Sequence, residues 1–206
     1  MKKLHLISLL LPLLALLVIP TTVQANIVLN PGFETADGGG AQNWFNWYDP
    51  ANGVSQQRVT DVFLSGAASA NTKLTGTSGY TVGGWGQALT GWSAGQTLNA
   101  SLWAKVSITG DAYAQLKLEI IKPSGNVDVW GPSTASTSWT KLEQSYLIPG
   151  DTTQIKFLAI HAASAGTNNG DIWFDDANAT IPEPTSMLLL GTGLIGLLTL
   201  GRKKIR

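Results

Sequence analysis

The sequence has no cysteine and only two histidines in 206 residues. The absence of cysteine excludes a disulfide framework and any thiolate metal site, so the fold must be held by its core alone or by a bound ion. One of the histidines lies in the apolar N-terminal segment. The other is His161, and a single histidine outside that segment excludes a multi-histidine metal site. No motif around His161 indicates a catalytic triad.

Basic residues are scarce in the central part of the chain. Six of the thirteen Lys and Arg lie near the two ends, so residues 26–181 contain seven basic side chains against twelve acidic ones. The segment is therefore mildly acidic and has no basic patch that could neutralise phosphates. Nucleic acid is not expected as a partner.

The central segment also lacks any convincing helical pattern, and its apolar residues alternate instead. In "TLNASLWAKV", Leu98, Ala100 and Leu102 would share one face of a strand while Ser101 and Trp103 would share the other. "AQLKLEII" repeats this period of two, and Gly-rich turn signals separate such segments at short intervals. The pattern predicts an all-β fold, a jelly-roll β-sandwich.

The N-terminus has the features of a signal peptide. Lys2 and Lys3 form a positive n-region, and an almost unbroken apolar run covers residues 9–19. Val23 and Ala25 occupy the small-residue positions of a cleavage site, so we expect residues 1–25 to form a signal helix that is removed after Ala25. The protein is thus predicted to be exported.

The C-terminus carries a second apolar segment. Pro182-Glu183-Pro184 precedes an apolar run from Met187 to Leu200, and Arg202, Lys203, Lys204 and Arg206 follow it. About 15 apolar residues are short for a membrane span, and the basic end would stay on the cytoplasmic side. We expect residues 182–206 to form a hydrophobic sorting helix that anchors the protein transiently in the inner membrane.

This tripartite C-terminus resembles the PEP-CTERM sorting signal. The resemblance implies processing by an exosortase-type protease in a Gram-negative bacterium that makes extracellular polysaccharide. The expected destination is the cell surface or the extracellular matrix.

Three stretches of the central segment resemble carbohydrate-binding modules of the family 4/9/22 type, which are galactose-binding-domain-like jelly rolls. They are "NIVLNPGFET" at its start, "GWGQALTGWSAGQTLNASLWAKV" in its centre and "GDIWFDDANAT" at its end. The resemblance covers residues 26–181 and implies one non-enzymatic module that binds polysaccharide. One departure is Leu98, where such modules usually have tyrosine.

The resemblance also implies a structural Ca²⁺ ion where the two ends of the domain meet. Glu34, Asp175 and Asp176 are the candidate ligands, because Ca²⁺ takes hard oxygen ligands and three carboxylates without a nearby Arg or Lys would repel one another. Asp176 is favoured over Asp175 because it would share a strand face with Phe174. The alternative is that Glu34 caps backbone amides and the aspartates form a solvated turn.

Sugar rings stack on exposed aromatic side chains, and eight tryptophans are present. We predict a carbohydrate-binding face that includes Trp85, Gln87, Trp103 and Gln115, with Lys117 and Glu119 on the same face and Trp47 on a neighbouring loop. The alternative for each tryptophan is packing in the core.

The function predicted from these features is that of an exported polysaccharide-binding protein. A structural or adhesive biofilm matrix protein without a sugar site is the alternative. No arrangement of nucleophile and base indicates an enzyme.

Overall fold

The computed structural model describes residues 24–48, 50–164 and 166–182. Within these ranges the chain forms twelve strands and one 3-10 turn, Pro50–Asn52. The strands are β1 (Ala36–Asp37), β2 (Gly40–Ala41), β3 (Phe45–Trp47), β4 (Val54–Val59), β5 (Ser69–Ser78), β6 (Thr81–Leu89), β7 (Thr97–Thr109), β8 (Tyr113–Ile121), β9 (Val127–Thr134), β10 (Thr140–Leu147), β11 (Gln154–Ala163) and β12 (Thr167–Thr180).

Ten of these strands form two five-stranded antiparallel sheets. Sheet 1 has the order β10-β7-β12-β5-β4, sheet 2 has the order β3-β6-β11-β8-β9, and β1 and β2 form a separate ribbon. Segments 97–106 and 114–121 lie in β7 and β8, and the residues that their alternation places on the core side do face the core. The predicted all-β sandwich is confirmed.

The core lies between the two sheets and is built from alternate residues of the long strands. Leu98 and Leu102 of β7 face Leu118 of β8 and Phe157 of β11 across the sandwich, and all four are fully buried. Each such side chain stabilises the fold by about 1.5–3 kcal/mol relative to an exposed one. Truncation of Leu102 to alanine would cost about 2–5 kcal/mol because a cavity would remain.

The first segment of the domain lies along its last strand. Ile27 N donates to Ala179 O at 2.8 Å, and Ala177 N donates to Pro31 O at 2.9 Å. The Asn26 side chain donates to Ala177 O at 3.0 Å and accepts from Ala179 N at 2.9 Å. The two ends of the domain therefore meet, as the resemblance to carbohydrate-binding modules implies.

Strand β12 contains a β-bulge next to this junction. Asp175 pairs with Trp103 and Asn178 pairs with Ser101, so β12 has one more residue than β7 over this interval. Asp176 has a positive φ of 45°. Side chains alternate between the two faces along a strand. The extra residue therefore shifts this alternation by one, so that every later residue of β12 points to the opposite face from the one expected without the bulge.

The predicted signal segment and the apolar C-terminal run lie outside the described residues, although Ala25 and Pro182 are described. Among the described residues no helix is long and apolar enough to cross a membrane.

Candidate functional site

The outer face of sheet 2 carries aromatic side chains on both of its edge strands. The register places Phe45 of β3 in a row with Gly86, Leu158, Lys117 and finally Trp130 of β9. Phe45 is 42% exposed and Trp130 is 51% exposed. Four strand spacings separate the two edge strands by about 19 Å. We call this outer surface, from β3 to β9, the aromatic face.

The middle of the aromatic face is apolar. Leu158 and Ile160 of β11 point outward, yet they are buried, because neighbouring side chains cover them. This small cluster consists of Leu158, Ile160 and Ala162 with the partly buried Trp47, Val82 and Tyr113. An apolar floor therefore connects the aromatic residues.

Gly86 allows the ring of Phe45 to lie directly on the sheet. A Cβ added at Gly86 would contact the Phe45 ring and would lie 2.7 Å from Leu158 Cδ2. Glycine in a strand interior often marks such a close approach of another group. Only a residue without a side chain fits at this position.

The charged groups of the aromatic face are paired. Lys117 Nζ lies 2.7 Å from Asp128 Oδ1 and 4.4 Å from the ring centroid of Trp130. Lys156 Nζ lies 2.8 Å from Glu119 Oε2. These two ammonium groups and two carboxylates leave this part of the surface without net charge.

Gln115 adds a polar group to the same face. It lies in a row with Trp47, Gly84 and Ile160, and its Nε2 donates to Gly131 O at 2.8 Å. Its carbonyl oxygen accepts no hydrogen bond from any other described residue and remains able to accept one.

Trp85 and Gln87 do not contribute to a surface, and their predicted role is wrong on this point. Trp85 is fully buried with its ring 6.1 Å from that of Phe33. Gln87 is 3% exposed, donates to Leu29 O and Asn43 O, and accepts from Leu29 N at 2.7 Å. Both side chains face the core, so a sugar has no access to either.

The remaining predicted sugar-binding residues lie on two opposite surfaces. Trp103 faces outward, as predicted, but it is half-buried and belongs to sheet 1. Gln115, Lys117 and Glu119 lie on the outer face of sheet 2, with Trp47. The prediction that they share one face with Trp103 is therefore wrong.

Three aromatic residues of the aromatic face were not predicted: Phe45, Tyr113 and Trp130. The segment 127–130 does contain the signal, because Asp128 and Trp130 alternate with two valines. That alternation places Trp130 on the outer side of a strand.

The predicted metal ligands lie near the junction of the domain ends, and each accepts hydrogen bonds from the loop before β5. Ala67 N donates to both Glu34 carboxylate oxygens, at 3.0 and 3.1 Å. Leu64 N and Ser65 N donate to Asp175 Oδ2 at 2.8 and 3.1 Å. The alternative in which Glu34 caps a backbone amide is thus observed.

Asp175, and not Asp176, is the buried carboxylate. Asp176 Oδ1 accepts from Ser65 Oγ at 2.7 Å and the residue is only partly buried. The bulge breaks the alternation with Phe174, so the shared strand face on which the preference for Asp176 rested is not observed. Burial raises the pKa of Asp175 to about 6, although amides of Leu64, Ser65 and Asp176 oppose this.

The three carboxylates do not form a metal cluster in the described part of the chain, where no group of three or more His, Cys, Asp or Glu side chains is placed to hold an ion. An arginine is also nearby: Arg58 donates to Phe33 O at 2.6 Å and to Glu34 O at 2.8 Å. A Cβ at Gly32 would lie 3.4 Å from Glu34 Oε1 and 3.7 Å from Asp175 Oδ1. Two carboxylate oxygens therefore face the same small space.

His161 lies inside β11 and is fully buried. Neither ring nitrogen has a hydrogen-bond partner among the described residues. Burial lowers its pKa to about 4. A neutral imidazole enclosed between the sheets cannot reach a substrate.

Two family models match the sequence. A carbohydrate-binding domain model matches residues 25–167, and a PEP-CTERM protein-sorting motif model matches residues 180–204. No curated protein matches the sequence.

Several solved carbohydrate-binding modules have a similar fold. The C-terminal family 22 module of Clostridium thermocellum Xyn10B has a TM-score of 0.55 and 19% identity, with 73% of this chain and 90% of that chain covered. The xylan-binding domain CBM22-1 of Paenibacillus barcinonensis Xyn10C has a TM-score of 0.56 and 14% identity over 78% and 97%. TmCBM61, solved with β-1,4-galactotriose, has a TM-score of 0.53 and 18% identity over 77% and 99%.

Proposed function

The chain belongs to the family of carbohydrate-binding domains, and from this premise we propose that it binds a neutral polysaccharide across the aromatic face of sheet 2. The domain is a binding module and not an enzyme. Export and sorting to the cell surface follow from its PEP-CTERM motif.

The observation that carries the proposal is the row of residues from Phe45 to Trp130. Sugar rings present apolar C–H faces that pack on aromatic rings, while their hydroxyl groups need hydrogen-bond partners. The aromatic face offers half-exposed rings on both edge strands and the open carbonyl of Gln115 between them. Its span of about 19 Å is long enough for several sugar units rather than one.

The paired charges favour a neutral polymer. Lys117 lies beside Asp128 and Lys156 lies beside Glu119. An anionic polysaccharide would have to compete with these carboxylates for the two ammonium groups. Xylan and β-1,4-galactan are the first candidates, because similar modules are xylan-binding or were solved with β-1,4-galactotriose.

Affinity electrophoresis against a panel of neutral and acidic polysaccharides tests this proposal. We expect retardation by at least one neutral polymer and its loss in Trp130→Ala. Trp173→Ala is the matched control, because Trp173 lies on the outer face of sheet 1. Unchanged migration of the native protein on every gel would reject the proposal and favour a matrix protein without a sugar site.

We propose the following route for sorting. The C-terminal segment holds the exported protein in the inner membrane of a Gram-negative bacterium until an exosortase-type protease cleaves it near Pro182-Glu183-Pro184. The released domain then becomes part of the cell surface or the biofilm matrix. Retention of the C-terminal peptide in secreted protein, detected by mass spectrometry, would contradict this route.

We also propose that a structural Ca²⁺ ion binds near Glu34 and Asp175. Two carboxylate oxygens that face the space beside Gly32 support this, as does the burial of Asp175 without an ion-pair partner among the described residues. Ca²⁺ prefers such hard oxygen ligands and completes its shell with backbone carbonyls. The ion would stabilise the junction of the domain ends and would take no part in sugar binding.

A further inference from the structure

A pocket lies on the opposite side of the sandwich from the aromatic face. A pocket of about 430 Å³ opens on the outer face of sheet 1, where strands β10, β7 and β12 run side by side. Its lining is polar and includes Asn99, Ser101, Lys141, Glu143, Ser145 and Asn178. Its volume lies within the range of small-molecule sites.

The strand register arranges the polar side chains in two rows. Glu143 of β10 lies next to Ser101 of β7, which lies next to Asn178 of β12. Ser145 and Asn99 form the neighbouring row, and Ser145 Oγ donates to Asn99 Oδ1 at 2.7 Å. One small site therefore receives side chains from three adjacent strands.

The β-bulge of β12 is what brings Asn178 into this site. Without the extra residue, the alternation that buries Phe174 would also turn Asn178 toward the core. With it, Ala177 and Ala179 are buried and Asn178 is partly exposed. β-bulges commonly re-aim a side chain in this way beside a functional site.

Several groups of the pocket have hydrogen-bonding capacity that the protein does not use. The Ser101 hydroxyl and the Asn178 amide make no side-chain hydrogen bond to another described residue. Among the described residues, Glu143 is paired with Lys141 alone, at 2.6 Å, and its side chain is 63% exposed. The lining thus offers donors and acceptors but no net charge.

Trp103 stands on the same face, one row beyond Ser101. It pairs with Lys141 of the lining, but its own half-buried ring is not part of the lining. A neutral, polyhydroxylated ligand matches the donors and acceptors that the lining itself presents.

We propose that this pocket is a second carbohydrate site, which binds one sugar unit or the end of a glycan chain. It differs from the aromatic face in size and in lining. The two sites lie on opposite outer faces, so one protein molecule would contact two glycan chains at once. The proposal does not depend on binding at the aromatic face.

Titration of ¹⁵N-labelled protein with xylose, galactose and glucose, followed by NMR, tests the proposal. We expect saturable shifts at Ser101, Glu143 and Asn178 with at least one sugar. Asn178→Ala should weaken that binding at least about tenfold, since it removes the hydrogen bonds made by both the NH2 group and the carbonyl oxygen of the side-chain amide. Ser107→Ala, on the same face of β7 but outside the pocket, should leave the binding unchanged.

The variant Trp130→Ala separates the two sites. Pocket shifts that persist in Trp130→Ala support the second site. Shifts confined to the aromatic face, or no shift with any of the three sugars, would overturn it. Retardation on gels that is lost in Trp130→Ala reports on the aromatic face alone, so a failure of either site is recognised by itself.

Discussion

The ammonium group of Lys117 lies over the indole ring of Trp130, 4.4 Å from its centroid, and also contacts Asp128 Oδ1 at 2.7 Å. Lys117 belongs to β8, while Trp130 and Asp128 belong to the edge strand β9. The lysine therefore fixes the position of a half-exposed ring on the strand that has a neighbour on one side only. A ring held in place loses less conformational entropy when a sugar packs on it.

The substitution Lys117→Met should weaken polysaccharide binding by about three- to tenfold, because a cation–π contact of about 0.5–2 kcal/mol is lost while the aliphatic stem is kept. Isothermal titration calorimetry with fragments of the retarding polymer measures the change. Lys73→Met, at an exposed lysine of sheet 1, is the control. Equal affinities of Lys117→Met and the native protein would show that the lysine does not position the ring.

Gly86→Ala should displace the side chains of the aromatic face that lie on this glycine. The new Cβ would collide with the Phe45 ring and with Leu158 Cδ2, and such overpacking costs about 1–3 kcal/mol of unfolding free energy. Sugar affinity should fall as well, because Phe45 must leave its position. Gly150→Ala is the control, since no atom lies within 4 Å of its added Cβ. Urea unfolding that gives the same midpoint for both variants would contradict the packing argument.

The fold could be predicted because the pattern that specifies each strand lies within a few consecutive residues. Burial at every second position, as at Leu98 and Leu102, determines both that the segment is a strand and which side faces the core. The meeting of the domain ends was predicted from the resemblance, and the hydrogen bond from Ile27 to Ala179 confirms it.

The surfaces were harder to predict because they depend on which face of each strand is turned outward. Trp85 lies between Gly84 and Gly86, and residues without side chains give no alternation from which its direction can be inferred. The bulge at Asp176 is a second case, since an extra residue cannot be seen in a single strand without its partner. Trp47 and Trp103 were assigned to one site because the pattern within a strand does not indicate which of the two sheets that strand joins.

Removal of Ca²⁺ should lower the melting temperature if the ion is bound near Glu34 and Asp175. Binding to the folded state alone stabilises it by about 2.7 kcal/mol at a hundredfold excess over Kd. Thermal unfolding with CaCl₂ and with EGTA measures this, and Glu34→Gln should reduce the difference. An unchanged melting temperature, in protein that also contains no calcium by elemental analysis, would contradict the proposed Ca²⁺ site.

His161 should make the stability depend on pH. Its pKa is about 4 in the folded protein but 6.5 in a model peptide, because burial disfavours the imidazolium. Between these values the unfolded chain binds a proton that the folded chain does not, so the free energy of unfolding falls as the pH drops from about 6.5 to 4. The loss attributable to His161 is about 3 kcal/mol.

The variant His161→Leu isolates this effect, because Asp175 acts in the opposite direction. The pKa of Asp175 is raised to about 6, so its folded form binds a proton more readily and gains stability as the pH falls toward 4. Both proteins contain Asp175, so its contribution cancels in the difference between their urea unfolding energies. That difference should shift in favour of His161→Leu by about 3 kcal/mol between pH 7 and pH 4, since leucine cannot be protonated in the unfolded chain. A difference that stays constant with pH would mean that His161 is solvated or hydrogen-bonded in the folded protein.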